Sequence, residues 1–212
     1  MTQILDPLKE YLARLVEPKP LISLAALIAL IIVLVLIRSK TSLSVKMLSY
    51  GAIAISAAFI LSYVRIYKMP TGGTVTLASM LPIFIFAYIA GPRAGILAGM
   101  CYGLLQFIQD PFLVHPVQFI LDYPLAFALL GLAGLIKDRL FIGAVIGCAG
   151  RFICHYLSGV VFFAEYANGQ NVFIYSLAYN SSYLIPELII ILGILLVPNM
   201  KTAIKRVRAA SY

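Results

Sequence analysis

QFILDYPLAFALLGLAGLIKDRLFIGAVIGCAGRFICHYLSGVVFFAEYANGQNVFIYSLAYN, residues 118–180, is apolar enough over most of its length to cross a bilayer more than once. Yet it carries Asp122-Tyr123, then His155-xxx-Gly159-xxx-Phe163, then Tyr175 and Tyr179-Asn180. A carboxylate, an imidazole and a carboxamide are costly in hydrocarbon and are tolerated where they face a bundle interior or a water-filled cavity. Their companions here are tyrosines, a phenylalanine and a glycine. Such a mixture suits a flat, polar, cationic ligand held inside the membrane.

The rest of the chain belongs to the same class. Hydrophobic residues make up 62% of its 212 positions and charged residues only 11%, with a mean hydropathy of +1.01. These values lie outside the range of soluble domains and leave no room for one. The net charge of +8 is read as the topology signal of membrane helices rather than a nucleic-acid footprint. Cys101, Cys148 and Cys154 are odd in number, lie in apolar segments and show neither CxxC nor metal-ligand spacing, so no metal site is expected.

A window of about 20 residues yields seven candidate helices near 21–38, 46–66, 74–91, 93–109, 118–136, 140–165 and 174–198. An amphipathic piece, Ile4, Leu8, Tyr11, Leu12 and Leu15, precedes the first of them. Arg38 and Lys40 after that first apolar run disfavour a cleaved signal peptide. Placing the C-terminal Lys201, Lys205, Arg206 and Arg208 in the cytoplasm puts ten basic residues inside and five outside, as the positive-inside rule requires. In that orientation Asp122, His155 and Asn180 all fall in the outer half of the bilayer, with His155 about 15 Å below Glu165 at 1.5 Å per residue. The cavity is therefore expected to open outward, with His155, Gly159 and Phe163 on one helical face.

The runs LDYPLAFALLGLAGLIKD (121–138), RFICHYLSGVVFFAEYA (151–167) and IYSLAYN (174–180) resemble the thiamine-specific S component of energy-coupling factor (ECF) vitamin transporters. That family's pattern is an acidic-Tyr pair, an HxxxG with a nearby aromatic, and YSLAxN. GPRAGILAGMCYGLL (91–105) resembles the stretch joining the family's second and third helices. The resemblance covers roughly residues 46–199. It implies an all-α membrane bundle of six helices, here with an added N-terminal span. Residues 1–45 would be the amphipathic segment and added helix, 46–200 the substrate-binding domain and 201–212 a basic cytoplasmic tail. It implies no enzyme activity and no cofactor. Thiamine would be captured from outside, and ATP would be used by two partner ATPases acting through a transmembrane coupling protein in the bacterial cytoplasmic membrane.

Residue by residue, the resemblance places Asp122, Tyr123, His155, Gly159, Phe163, Tyr175 and Asn180 at ligand-contact positions. The acid would face the thiazolium charge, and Asn180 and Tyr175 would meet the aminopyrimidine. Three departures stand out: Asp122 replaces the usual Glu, Phe163 stands at a usual Trp, and the chain has no Trp at all. Another vitamin on the same scaffold, such as riboflavin or hydroxymethylpyrimidine, is one alternative, and an intramembrane enzyme using Asp122 and His155 is another. Taken singly the residues read more plainly, Asp122 as an interfacial acid, the tyrosines as an aromatic belt and Gly159 as a packing glycine. Two small-residue pairs, Ala52/Ser56 and Ala54/Ala58, read either as internal packing or as docking surface for the coupling protein. Arg151 and Glu187 lie at equal depth and are expected to form a buried ion pair.

Overall fold

The computed structural model describes residues 44–69 and 72–211, together with helical positions 25, 28, 29, 31, 32 and 35. The amphipathic N-terminal piece and most of the expected 21–38 span lie outside the described residues.

Helix α1 (Val45–Ser62) starts at an N-cap, Ser44, whose Oγ accepts from the Met47 N–H at 3.2 Å. The expected helices 46–66 and 74–91 are each cut short by a hairpin, β1 (Arg65–Lys68) antiparallel to β2 (Thr74–Thr76). Ile66, Tyr67 and the Thr-Val-Thr run favour extended backbone. Gly72 supplies the positive φ (107°) that a reversal at this point requires. Helix α2 (Leu81–Ala90) consequently has only 10 residues, about 15 Å, half of what a bilayer crossing needs.

Gly91, at φ 89°, turns the chain into α3 (Pro92–Gln109). The apolar segment Pro116–Leu135, α4, is not uniform: residues Leu121–Leu125 form a π turn around Pro124 and Leu129–Leu135 a 3₁₀ stretch. Proline has no N–H to give to the preceding turn and its ring crowds that turn's carbonyl, so the helix widens there instead of breaking. Helix α5 (Leu140–Phe162) ends at Phe163 and is followed by a 3₁₀ turn (Ala164–Ala167). Helix α6 (Val172–Leu196) is capped by Asn171, whose Oδ1 accepts from the Phe173 and Ile174 N–H groups.

The basic C-terminal segment is itself a helix, α7 (Pro198–Ser211). It lies against the bundle through buried Ile204. Arg208 donates to Tyr88 Oη at 2.7 Å and Asp138 Oδ1 at 2.6 Å, and Lys46 donates to the Ala210 carbonyl. Apart from the helical positions between 25 and 35, the described residues thus hold seven helices, and the seventh is this C-terminal one. Four of them (α1, α4, α5 and α6) are long and apolar enough to cross a membrane, against the six expected spans that fall within the described residues.

Helices α3 and α4 approach through glycine. A Cβ on Gly99 would sit 2.1 Å from the Phe127 carbonyl oxygen, and one on Gly103 2.5 Å from that of Tyr123. With Gly95 these form a small-xxx-small stripe, the membrane route to close helix contact. Ile53, Ile60, Ile153 and Ile189 meanwhile point outward at 55–67% exposure. Polar side chains gather inside. Aliphatic outside and polar inside is the arrangement of a multi-pass membrane protein.

Candidate ligand-binding site

A cavity of about 250 Å³ lies between the hairpin, the α3–α4 connection and helices α4, α5 and α6. Asp122, Tyr123, His155, Gly159, Phe163, Tyr175 and Asn180, read from the sequence as contact positions, all line it.

The π turn presents Asp122 to α5. Its Oδ2 accepts from Gln118 Nε2 at 2.7 Å and from the Ser158 hydroxyl at 2.9 Å, and its Oδ1 lies 3.1 Å from His155 Nδ1. Arg151 Nε donates to His155 Nε2 at 3.1 Å. That donation makes Nε2 the acceptor, so a neutral imidazole carries its proton on Nδ1 and donates it to Asp122. The carboxylate therefore receives three protein donors. Gln118 is itself buried, and also ties the connection down by donating to the Phe112 carbonyl and accepting from the Val114 N–H.

Asn180 is equally engaged. Its Nδ2 donates to the Ser176 carbonyl at 2.8 Å and its Oδ1 accepts from the Tyr183 hydroxyl at 2.7 Å. Gly159 serves packing as well as lining: a Cβ there would lie 2.2 Å from Ser176 Oγ, so its absence lets α5 and α6 close up beside Asn180.

Aromatic rings make the upper walls. Phe163, just beyond the end of α5 and not within it as expected, stacks on Phe112 with centroids 5.7 Å apart and 23° between planes. Tyr175 stacks on Tyr179 at 6.1 Å. Tyr123 turns its hydroxyl to the α3–α4 connection, donating to the Asp110 carbonyl and accepting from the Phe112 N–H, both at 3.1 Å. The hairpin covers one side. The Gly73 N–H donates to Tyr179 Oη at 3.0 Å, and a Cβ at Gly73 would meet the Tyr183 ring at 2.5 Å. At the mouth, Arg65 and Lys68 pair with Asp110 at 3.3 and 2.6 Å.

Two expectations are corrected. Arg151 and Glu187 do not form an ion pair. The guanidinium lies over the Phe127 ring, 4.2 Å from its centroid, and serves His155. Glu187 instead accepts, on Oε1, from the Thr76 hydroxyl at 2.5 Å and the Ser79 hydroxyl at 3.0 Å. Cation–π contact and hydroxyl donors replace the pairing that equal depth suggested. Arg151→Met with Glu187→Met is accordingly expected to show no mutual rescue in thermal melting. Second, Ala54 and Ala58 face the core at 8% and 0% exposure, which makes that pair internal packing. Ala52 and Ser56 remain on the exposed face of α1.

Sequence reasoning passed over Gln118, Ser158, Thr76 and Ser79. Gln118 had a signal, since it precedes Asp122 by one turn. Ser158 had a weaker one, standing between His155 and Gly159. Thr76 and Ser79 carry none, because hydropathy alone makes their segment part of a helix.

A cavity lined by polar and aromatic side chains, in a multi-pass helical bundle, is the kind of site in which a membrane protein holds a small molecule. Residues 47–206 match the model of the thiamine transporter protein family (Thia_YuaJ). The chain belongs to that family. It is similar to the thiamine transporter ThiT of Bacillus subtilis (strain 168), 39% identical over 159 residues, 66% of this chain and 82% of that one. It is also similar to the thiamine transporter ThiT of Lacticaseibacillus paracasei, 33% identical over 122 residues, 48% of this chain and 61% of that one. The solved structure of ThiT from Listeria monocytogenes superposes with a TM-score of 0.61 at 25% identity, covering 73% of this chain and 96% of that one. These relatives are named as transporters and not as enzymes.

Proposed function

We propose that this chain binds thiamine at the cavity between α4, α5, α6 and the hairpin, as the S component of an ECF-type vitamin uptake transporter. The observation that carries the reading is a half-buried carboxylate, Asp122, set among aromatic walls in a cavity with room for one small heterocyclic molecule. Thiamine bears a permanent positive charge and two flat rings. A half-buried anion and stacked Phe and Tyr rings are the groups that recognise such a molecule. The named function of its relatives supports the same ligand.

In this reading the chain itself uses no cofactor. A transmembrane coupling protein and two ATPases supply the energy, and Ala52 and Ser56 are on the face of α1 free to meet the coupling protein. The membrane is the bacterial cytoplasmic membrane. Basic residues on α7 support a cytoplasmic C-terminus.

Calorimetric titration of the detergent-solubilised chain with thiamine tests the binding. One site per chain is expected, with riboflavin and hydroxymethylpyrimidine failing to compete; displacement by either would transfer the site to that vitamin. Phe163 gives a finer check. Phe163→Ala is expected to lower affinity by about fivefold to tenfold through the lost ring, and Phe163→Trp to preserve or raise it, because Trp offers the stronger cation–π face. Equal affinity of all three proteins would place Phe163 outside the binding wall.

A further inference from the structure

The basic residues of α7 divide between two tasks. Arg208 is turned to the bundle: it donates to Tyr88 and Asp138, and its guanidinium carbon lies 4.6 Å from the centre of the Tyr88 ring. With half-buried Met200 and buried Ile204 it forms an i, i+4, i+8 stripe against the other helices. Lys201 and Lys205 flank that stripe and Arg206 lies farther round. All three are exposed, and among the described residues no carboxylate forms an ion pair with any of them.

What α7 touches sets its depth. Only Val197 separates Leu196, the last residue of α6, from Pro198. Tyr88 is two residues from the end of α2, and Asp138 is in the α4–α5 connection. Lys46, which donates to the Ala210 carbonyl, is in the first turn of α1. All of these sit where helices end and the apolar bundle stops. A 14-residue helix is about 21 Å long, and α7 spends that length crossing the end of the bundle instead of leaving it. It therefore lies at the level of the lipid headgroups. Arg93, Lys137 and Arg139 are exposed at the same end, where Asp138 is the one acid among the described residues. At the opposite end Arg65 and Lys68 are matched by Asp110.

We infer that α7 is a headgroup-binding helix, whose Lys201, Lys205 and Arg206 hold the phosphates of anionic phospholipids at the membrane surface. Lys and Arg can lay their aliphatic stems along apolar surface while the charge reaches the headgroup. A basic amphipathic helix held in the plane of the interface is what an anionic leaflet attracts. Lipid held there ties α1, α2, α6 and the α4–α5 connection to the surface through one element, so its binding should register as thermal stability. The inference does not depend on what the cavity binds.

Thermal melting of the full chain in nanodiscs tests it, comparing phosphatidylcholine alone with phosphatidylcholine containing phosphatidylglycerol. The wild type is expected to melt about 5 °C higher with phosphatidylglycerol. The rise should vanish near 1 M salt, where the Debye length is about 3 Å. Lys201→Gln, Lys205→Gln and Arg206→Gln together should abolish the rise while leaving melting in phosphatidylcholine unchanged. If that triple variant folds poorly, Lys201→Arg with Lys205→Arg, which keeps the charge, must retain the rise, and Arg206→Gln alone must reduce it. Equal melting of the wild type in both lipids would overturn the inference. So would a rise that survives in the triple variant, which would assign the lipid to Arg93, Lys137 and Arg139. A triple variant that keeps the rise but no longer assembles with partner subunits would give the face to a protein and overturn it as well.

Discussion

Asp122→Asn is expected to weaken thiamine binding about a hundredfold while the chain remains folded. The carboxylate accepts from Gln118 and Ser158 on one oxygen and from His155 on the other. Asparagine must turn its NH₂ towards one of those sides, and a donor then meets a donor. If it faces the imidazole, the ring has no easy escape through its other tautomer, because Arg151 already donates to Nε2. The negative charge is lost as well. A hydrogen bond to a charged group contributes about 1.5–3 kcal/mol, and 1.4 kcal/mol is a factor of ten in affinity. Calorimetric titration of the purified variant checks the loss, with a melting curve to show that folding survives. Unchanged affinity would remove Asp122 from the site.

Gly99→Val should be the most damaging single change outside the cavity. The Phe127 carbonyl oxygen stands 2.1 Å from where the first added carbon would go, and the next nearest atoms, at 2.9 and 3.3 Å, are also backbone. No side chain can swing aside, so α3 and α4 must separate. Overpacking of this kind costs about 3 kcal/mol or more, which for a chain of this size corresponds to a melting temperature about 10 °C lower. Gly193→Ala is the control: nothing lies within 4 Å of its added carbon, and helix propensity alone predicts a gain of up to about 1 kcal/mol. Comparable losses in both variants would mean that the α3–α4 contact does not carry the stability assigned to it.

The sequence was most informative where covalent constraints act locally. Pro92, Pro116 and Asn171 start helices within two residues of the boundaries read from hydropathy. The seven residues read as contact positions line one cavity because a repeat of 3.6 residues and a motif spacing are both local properties. The hairpin escaped because Val64, Ile66, Tyr67 and Thr74 to Thr76 are apolar or β-branched, and such runs fit helix or strand equally well on hydropathy alone. The π turn escaped for a different reason. Pro124 announces some departure from α geometry, but only packing against α3 and α5 decides whether the helix breaks, kinks or widens. The Arg151–Glu187 pairing failed because equal depth on two helices does not specify which faces meet. The hydroxyls that hold Glu187 come from the hairpin, a segment 108 to 111 residues away in the chain.

The shortness of α2 has a consequence for the journey of the ligand. Because the hairpin replaces half of a membrane helix, its base, at Thr76 and Ser79, reaches down to Glu187 on α6. A molecule resting there has already travelled about half the hydrocarbon thickness through a polar shaft. Below it the bundle is a dry plug: Ile83, Phe84 and Ala87 on α2 and Ile191 and Leu195 on α6 are all buried and apolar. A permanent cation cannot shed its charge to slip through such a layer. The described residues therefore form a well with a floor rather than a pore, and vesicles containing this chain alone should take up one thiamine per chain and accumulate none in their lumen. In the proposed S-component reading, onward passage is driven by work that partner subunits do on the bundle.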